Sequence, residues 1–252
     1  MSYKTVFRRY ELKYLITKDQ MDTILGVMEP YTKPDAYGIT TIRNLYFDTP
    51  SYRLIRESIE KPDYKEKLRI RSYTTATDES TVFVELKKKY EGVVYKRRLS
   101  LSEKDATDWI IRGLGLKQTS QISREIDYFI RYYENPSPKV YLAYDRTAYF
   151  GTSDPDLRIT FDSNIIFRED DLSLKSPAYG TKILRDGYIL MEIKTSASIP
   201  LWLTRTLAEL GISKTSFSKY GVAYRNHILP KIQHITNTSS TIKESANDKQ
   251  FI

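Results

Sequence analysis

The chain has 252 residues, 40% of them hydrophobic, enough to bury the core of one large domain or two small ones. It contains no cysteine, which excludes disulfides, thiolate zinc sites and cysteine nucleophiles, and its two histidines, His227 and His234, stand apart from other metal-ligand types. A formal net charge of +8, from 40 Lys and Arg against 32 Asp and Glu, points to an anionic partner, and the basic residues are spread along the chain rather than gathered in one arm.

No apolar run approaches the length of a membrane helix. The first ten residues are basic and lack an apolar signal-peptide core, so the expectation is a cytoplasmic protein without a membrane segment.

In chain order, Tyr3 to Ile16 reads as a strand. Thr17 and Gln20 have the spacing of a capping box, followed by Met21, Ile24, Leu25 and Met28 at helical intervals. Ile42 to Asp48 reads as a strand, and Thr49-Pro50 as the start of a second helix with proline at its first position. Lys67–Tyr73, Thr81–Tyr90 and Val93–Leu101 form a meander, with Glu91-Gly92 as one turn. Helices follow from Ser102 to about Gly113 and from Ser123 to Tyr133. Strands follow at Val140–Phe150, Leu157–Phe161 and Tyr188–Lys194. A helix through Leu201, Leu203, Leu207 and Leu210 closes at Gly211, and a last one covers Phe217 to Leu229. No linker or repeat divides the chain. One domain over residues 1–235 is expected, with a Ser-, Thr- and Asn-rich, disordered tail over 236–252.

The strands share a code. Leu68 and Ile70 alternate with Arg69 and Arg71, and successive strand side chains point to opposite faces. Glu11 and Lys13 alternate with Leu12 and Tyr14. Glu85, Lys87 and Lys89 alternate with Val84 and Leu86. Lys96 and Arg98, Arg158 and Asp162, and Glu192 and Lys194 repeat the pattern. One such strand is ordinarily a half-solvated sheet face. Six of them, rich in Arg and Lys with a few carboxylates, describe a cationic lumen if the sheet curls with helices outside, and that is the chemistry of a polyphosphate-and-metal site.

Arg69 and Arg71 lie about 6.6 Å apart on one face, each able to grip phosphate oxygens bidentately. Glu85-Leu86-Lys87-Lys88-Lys89 packs four charges into five residues; a solvated edge strand guarded by lysines is the alternative. Arg146 ends an apolar strand. Glu192 lies in the apolar stretch Ile189 to Ile193, and a carboxylate there wants a basic neighbour or a metal. Lys219 opens a helix beside hydroxyls that equally serve as caps. There is no Gly-rich phosphate loop and no Gly-x-Ser-x-Gly, so side chains have to hold any nucleotide phosphates.

In order, the segments Arg9-Tyr10-Glu11-Leu12-Lys13-Tyr14, Leu45-Tyr46-Phe47-Asp48-Thr49, Lys67-Leu68-Arg69-Ile70-Arg71, Val84-Glu85-Leu86-Lys87, Tyr144-Asp145-Arg146, Leu157-Arg158-Ile159-Thr160-Phe161-Asp162, Met191-Glu192-Ile193-Lys194 and Phe217-Ser218-Lys219-Tyr220 resemble a VTC-type polyphosphate polymerase domain of the triphosphate tunnel superfamily, over roughly Phe7 to His227. The resemblance implies an α+β fold, an antiparallel β-barrel (the triphosphate tunnel) with helices packed outside. It implies transfer of the γ-phosphate of ATP to a growing inorganic polyphosphate chain. By the same resemblance Arg69, Arg71, Lys87, Arg146, Arg158 and Lys219 act on the triphosphate. Glu11, Lys13, Glu85, Lys89, Arg98 and Lys194 contact substrate, and Glu192 holds Mn²⁺ or Mg²⁺.

The chain departs from the superfamily's hydrolase and cyclase branch at Arg9, which stands where the first Glu of Glu-x-Glu-x-Lys would be; that favours the polymerase branch. It also lacks the membrane helices and SPX domain of the eukaryotic polymerases, so a membrane partner would be a separate chain. ATP and inorganic polyphosphate are the expected ligands, and nucleic acid is not expected. The rivals are a triphosphate hydrolase on the same fold and a non-enzymatic binder of polyphosphate or RNA.

Overall fold

A computed structural model describes residues 10–91, 93–196 and 198–234. The expected strand over residues 3–9, Arg9, the turn residue Gly92 and the tail over 236–252 lie outside the described residues. In chain order the elements are β1 (Tyr10–Thr17), α1 (Lys18–Met28), β2 (Thr32–Pro34), β3 (Thr40–Asp48), α2 (Arg53–Ile59), β4 (Tyr64–Ser72), β5 (Thr81–Tyr90), β6 (Val93–Ser102), α3 (Glu103–Ile110) and α4 (Gln121–Tyr132). They continue with β7 (Ser137–Gly151), β8 (Arg158–Arg168), β9 (Thr181–Lys182), β10 (Tyr188–Thr195), α5 (Leu201–Glu209), β11 (Lys214–Thr215) and α6 (Lys219–Ala223), which runs into a π-helical turn at Tyr224–Ile228.

The strands hydrogen-bond in the order β11-β1-β10-β8-β7-β3-β4-β5-β6, with β2 added on β7 and β9 on β8. Every ladder is antiparallel. The α+β class and the curved antiparallel sheet stand as expected, but "barrel" is loose. Among the described residues no ladder joins β6 to β1 or β11, and side chains span that side instead, Lys87 Nζ lying 3.6 Å from a Glu11 carboxylate oxygen.

The period-two code sorts the two faces. Leu68, Ile70, Val84 and Leu86 point outward into a core shared with Trp109 of α3 and Ile126 and Phe129 of α4. Ile159, Met191 and Ile193 point outward into a second, shared with Ile24 and Met28 of α1 and Leu203 and Leu207 of α5. In a third core Ile42, Leu142, Ile165 and Leu190 pack against Phe217, Tyr220 and Tyr224. Leu142 and Leu190 each stand two residues before an inward-facing residue of the same strand, Tyr144 and Glu192, so this core lies on the inner side and is continuous with α6.

Two local expectations change. The capping box at Thr17 forms, with Gln20 donating back through its backbone and accepting from the Thr17 N–H at 2.9 Å. The second helix does not open at Pro50. The buried Asp48 carboxylate accepts from the backbone N–H groups of Thr49 (2.8 Å), Leu54 (2.8 Å) and Ile55 (3.0 Å). That turn delays α2 to Arg53, after a left-handed Tyr52 with φ 57°. The last helix starts at Lys219 rather than Phe217, capped by Ser218, whose Oγ accepts from Gly221 N–H at 3.2 Å.

Candidate functional site: a charged lumen

The inner face encloses a cavity of about 440 Å³. That size falls within the roughly 300–1,000 Å³ of ligand pockets, but charged side chains replace the usual apolar lining. Cross-strand register builds it in rows. Tyr46, Arg69, Glu85 and Arg98 lie opposite one another across β3, β4, β5 and β6. The next row on one side is Asn44, Arg71 and Phe83, and on the other Lys67, Lys87 and Lys96. On the facing wall Lys13 opposes Glu192, and Glu11, Lys194 and Arg158 share a row.

Two carboxylate centres organise the cations. Glu85, 1% exposed, takes Arg69 (2.7 Å), Lys96 (2.7 Å), Arg71 (4.0 Å) and Arg98. Burial pushes its carboxyl up, but the cations led by Arg69 and Arg71 outweigh that and hold it far below the usual carboxylate range. Asp162, fully buried, receives both arms of Arg146 at 2.5 and 2.7 Å and Lys219 at 2.5 Å. Lys219 also reaches Glu192 at 3.0 Å, with Lys13 at 3.7 Å, Arg146 at 3.5 Å and Lys194 at 4.0 Å from the same carboxylate. Burial again works to raise the Glu192 carboxyl, and Lys219, Lys13 and Arg146 carry it well below the ordinary range. Glu11 behaves alike: burial opposes, Lys87 and Lys13 prevail, and its carboxyl drops to about 2.

Neutral groups aim the arginines. Arg69 donates to Tyr46 Oη at 2.9 Å. Arg71 donates to Asn44 Oδ1 at 2.9 Å and to Tyr144 Oη at 3.3 Å. The Tyr144 ring has Lys219 4.5 Å and Arg146 5.1 Å from its centroid. Burial raises the Tyr144 phenol, yet Arg71, Arg146 and Lys219 bring it below its ordinary value. A group that gives up its proton more readily than usual reports a strongly positive field.

Of the residues singled out by sequence, Arg69, Arg71, Lys87, Arg146, Lys219, Glu11, Lys13, Glu85, Lys194 and Glu192 all face this cavity. Arg98 shares the Glu85 row but does not line the cavity; it pairs with Glu85 and stacks 4.5 Å over Phe83. Lys89 lies opposite Lys65 beyond the lining. Arg158 packs 5.0 Å over Phe150, and its Nε has no hydrogen-bond partner among the described residues. Sequence reading passed over Asn44, Tyr46, Tyr144, Lys67 and Lys96 as site residues. Asp162 showed in the alternation of β8 but received no role.

A divalent ion held by the protein alone does not fit. Among the described residues no three His, Cys, Asp or Glu side chains converge, and both Glu192 oxygens already lie within 4.0 Å of cations. An ion carried by phosphate oxygens fits better, because Mg²⁺ commonly uses one or two carboxylates with substrate phosphates. Among the described residues no helix is long and apolar enough to cross a membrane.

One solved structure shares the fold. A "putative adenylate cyclase" from Bacillus halodurans superposes with a TM-score of 0.52 at 14% identity, over 82% of this chain and 92% of that one. A second protein of the same description, from Vibrio parahaemolyticus, gives a TM-score of 0.45 at 13% identity, over 86% of this chain and 97% of that one. At sequence level the VTC domain profile matches residues 8–227, from the strand that carries Glu11 and Lys13 to the turn after Lys219, and the chain belongs to the VTC domain family.

Proposed function

We propose that the protein is a polyphosphate polymerase that transfers the γ-phosphate of ATP to a growing inorganic polyphosphate chain and releases ADP. The observation that carries this reading is the convergence of Arg69, Arg71, Arg146 and Lys219 on one cavity, with Tyr46, Asn44 and Asp162 fixing their directions.

Phosphoryl transfer needs in-line positioning and charge neutralisation more than a strong base. Here Arg69 and Arg71 hold phosphate oxygens from one wall while Arg146 and Lys219 hold them from the other. The terminal oxygen of the chain attacks the γ-phosphorus and the bond to the β-phosphate oxygen breaks, with negative charge kept among fixed guanidinium and ammonium groups. The lysine row on β4, β5 and β6 gives a polyanion several weak contacts at once, so a bound chain dissociates slowly. Glu192 and Glu11 are the carboxylates that a phosphate-borne Mn²⁺ or Mg²⁺ would meet, and such an ion would offset further charge on the phosphates.

The test is incubation of purified protein with ATP and Mn²⁺, followed by a gel for acid-labile chains. Chains with matching ADP release are expected. Free phosphate without chains would replace the polymerase by a hydrolase, and no turnover at all with tight chain binding would leave a binding module.

A further inference from the structure

The ion-pair network of the lumen leaves out one lysine. Among the described residues every other Lys or Arg on the cavity wall has a carboxylate oxygen within 4.0 Å, including Arg71 and Lys194 at the limit. Lys67 has none. The one hydrogen bond of its side chain among the described residues goes to Ser218 Oγ at 3.4 Å, an oxygen already accepting from Gly221 N–H. The charges that act on it most are like charges, Lys87 directly opposite on β5, Lys65 and Arg69 on its own strand and Lys13 from β1, with Lys96 one strand further on. The nearby carboxylates are committed elsewhere, Glu11 to Lys13 and Lys87, and Glu85 to Arg69 and Lys96.

We propose that Lys67 and Ser218 form a phosphate subsite whose lysine amine takes up a proton as the chain enters and binds it as an ammonium, so that chain binding is proton-linked through this one lysine. The inference rests on the polyphosphate reading and adds to it a site and a pH dependence.

Desolvation in the lumen lowers the Lys67 ammonium, and Lys87, Lys13, Lys65 and Arg69 lower it further, to about 7. A phosphate beside it reverses the sign of the local field and raises that value. Between the empty and the filled value, binding therefore consumes a proton, and affinity falls as pH rises above about 7. The loss reaches about tenfold per pH unit for one linked proton. Lys96 and Lys194, each lowered by burial to about 8, add a dependence of their own at higher pH, so the window that reports Lys67 is the one just above neutrality.

The experiment is calorimetric titration with long-chain polyphosphate, whose internal phosphates keep one charge throughout this range. Buffers of different ionisation enthalpy then give the number of protons taken up. Wild type, Lys67→Met and Lys67→Arg are compared after melting curves confirm cooperative folding. Wild type is expected to take up about half a proton or more beyond either variant just above neutrality, and Lys67→Arg to lose the pH slope while still binding. Equal proton uptake in all three overturns the inference and leaves the polymerase reading in place. Absence of any chain binding by wild type overturns the polyphosphate reading and this inference with it. If neither variant folds, carbon-13 titration of the wild-type lysines decides: no resonance moving upward from about 7 on adding the chain also overturns it.

Discussion

Arg69 and Arg71 differ in how much of their charge is already spoken for. Arg69 pairs with Glu85 at 2.7 Å, while Arg71 keeps 4.0 Å from it and is held mainly by Asn44 and Tyr144. Replacing either by alanine removes charged hydrogen bonds worth about 1.5–3 kcal/mol each. ATP and chain binding should weaken on the order of tenfold to a hundredfold, which a binding isotherm measures directly. Unchanged affinity in both variants would take these arginines out of the site. Glu192→Gln has a two-sided expectation. It removes the negative charge between Lys219, Lys13, Arg146 and Lys194, so ATP binding in EDTA should hold or tighten. Turnover with Mn²⁺ should drop on the order of a hundredfold, a barrier increase of roughly 3 kcal/mol. Near-normal turnover would remove Glu192 from any contact with a phosphate-borne ion.

The element that aims Lys219 is anchored from far away in sequence. Asp48 at the end of β3 caps the first turn of α2 and also accepts from Tyr220 Oη at 2.9 Å, so one carboxylate fixes both α2 and the residue beside Lys219. Asp48→Asn keeps the shape but turns an acceptor into a donor facing either Ile55 N–H or Leu54 N–H. A loss of about 1–3 kcal/mol in stability is expected, read by denaturant titration, with reduced affinity for ATP because α6 loosens. An unchanged midpoint would show that Asp48 is not the anchor. This tie was not legible beforehand, because Asp48 and Tyr220 are 172 residues apart and neither stands out locally. The same holds for Asn44, one amide in the apolar run of β3, whose meaning appears only when Arg71 comes beside it. The strand code was legible for the opposite reason. Charge at every second position is a local pattern, and it put most of the residues that face the cavity on one side of the sheet. Arg98 and Lys89 share that face but lie outside the cavity lining, since period two gives the face of a sheet but neither how far along a strand nor how many strands across it the cavity reaches. The helix after Asp48 was misjudged because Pro50 at a first helical position is common, whereas the capping carboxylate acts two residues earlier.

Across the whole molecule the lumen sets the response to acid. Glu85, Glu192 and Glu11 all titrate below the ordinary carboxylate range, so they bind fewer protons when folded than when unfolded near that range. Their stabilisation is complete above about pH 4.3, the unperturbed glutamate value, and is lost as pH falls toward their lowered values. Melting temperature should therefore be flat with respect to these groups near neutrality and drop steeply below about pH 4. Replacing Glu85 by Gln should blunt the acid drop while lowering stability at neutral pH; an unaltered acid limb would mean the carboxylates do not govern it. The rows in which Lys65 faces Lys89 and Lys67 faces Lys87 carry a different consequence. Like charges set opposite each other across a ladder oppose folding, and dissolved ions relieve them. Sodium chloride should thus raise the melting temperature of the vacant protein. With a polyanion in place those lysines become attractive partners, and the same salt should lower it. The slope of melting temperature against ionic strength changes sign on filling, which makes a simple salt series a gauge of occupancy that needs neither turnover nor a labelled ligand.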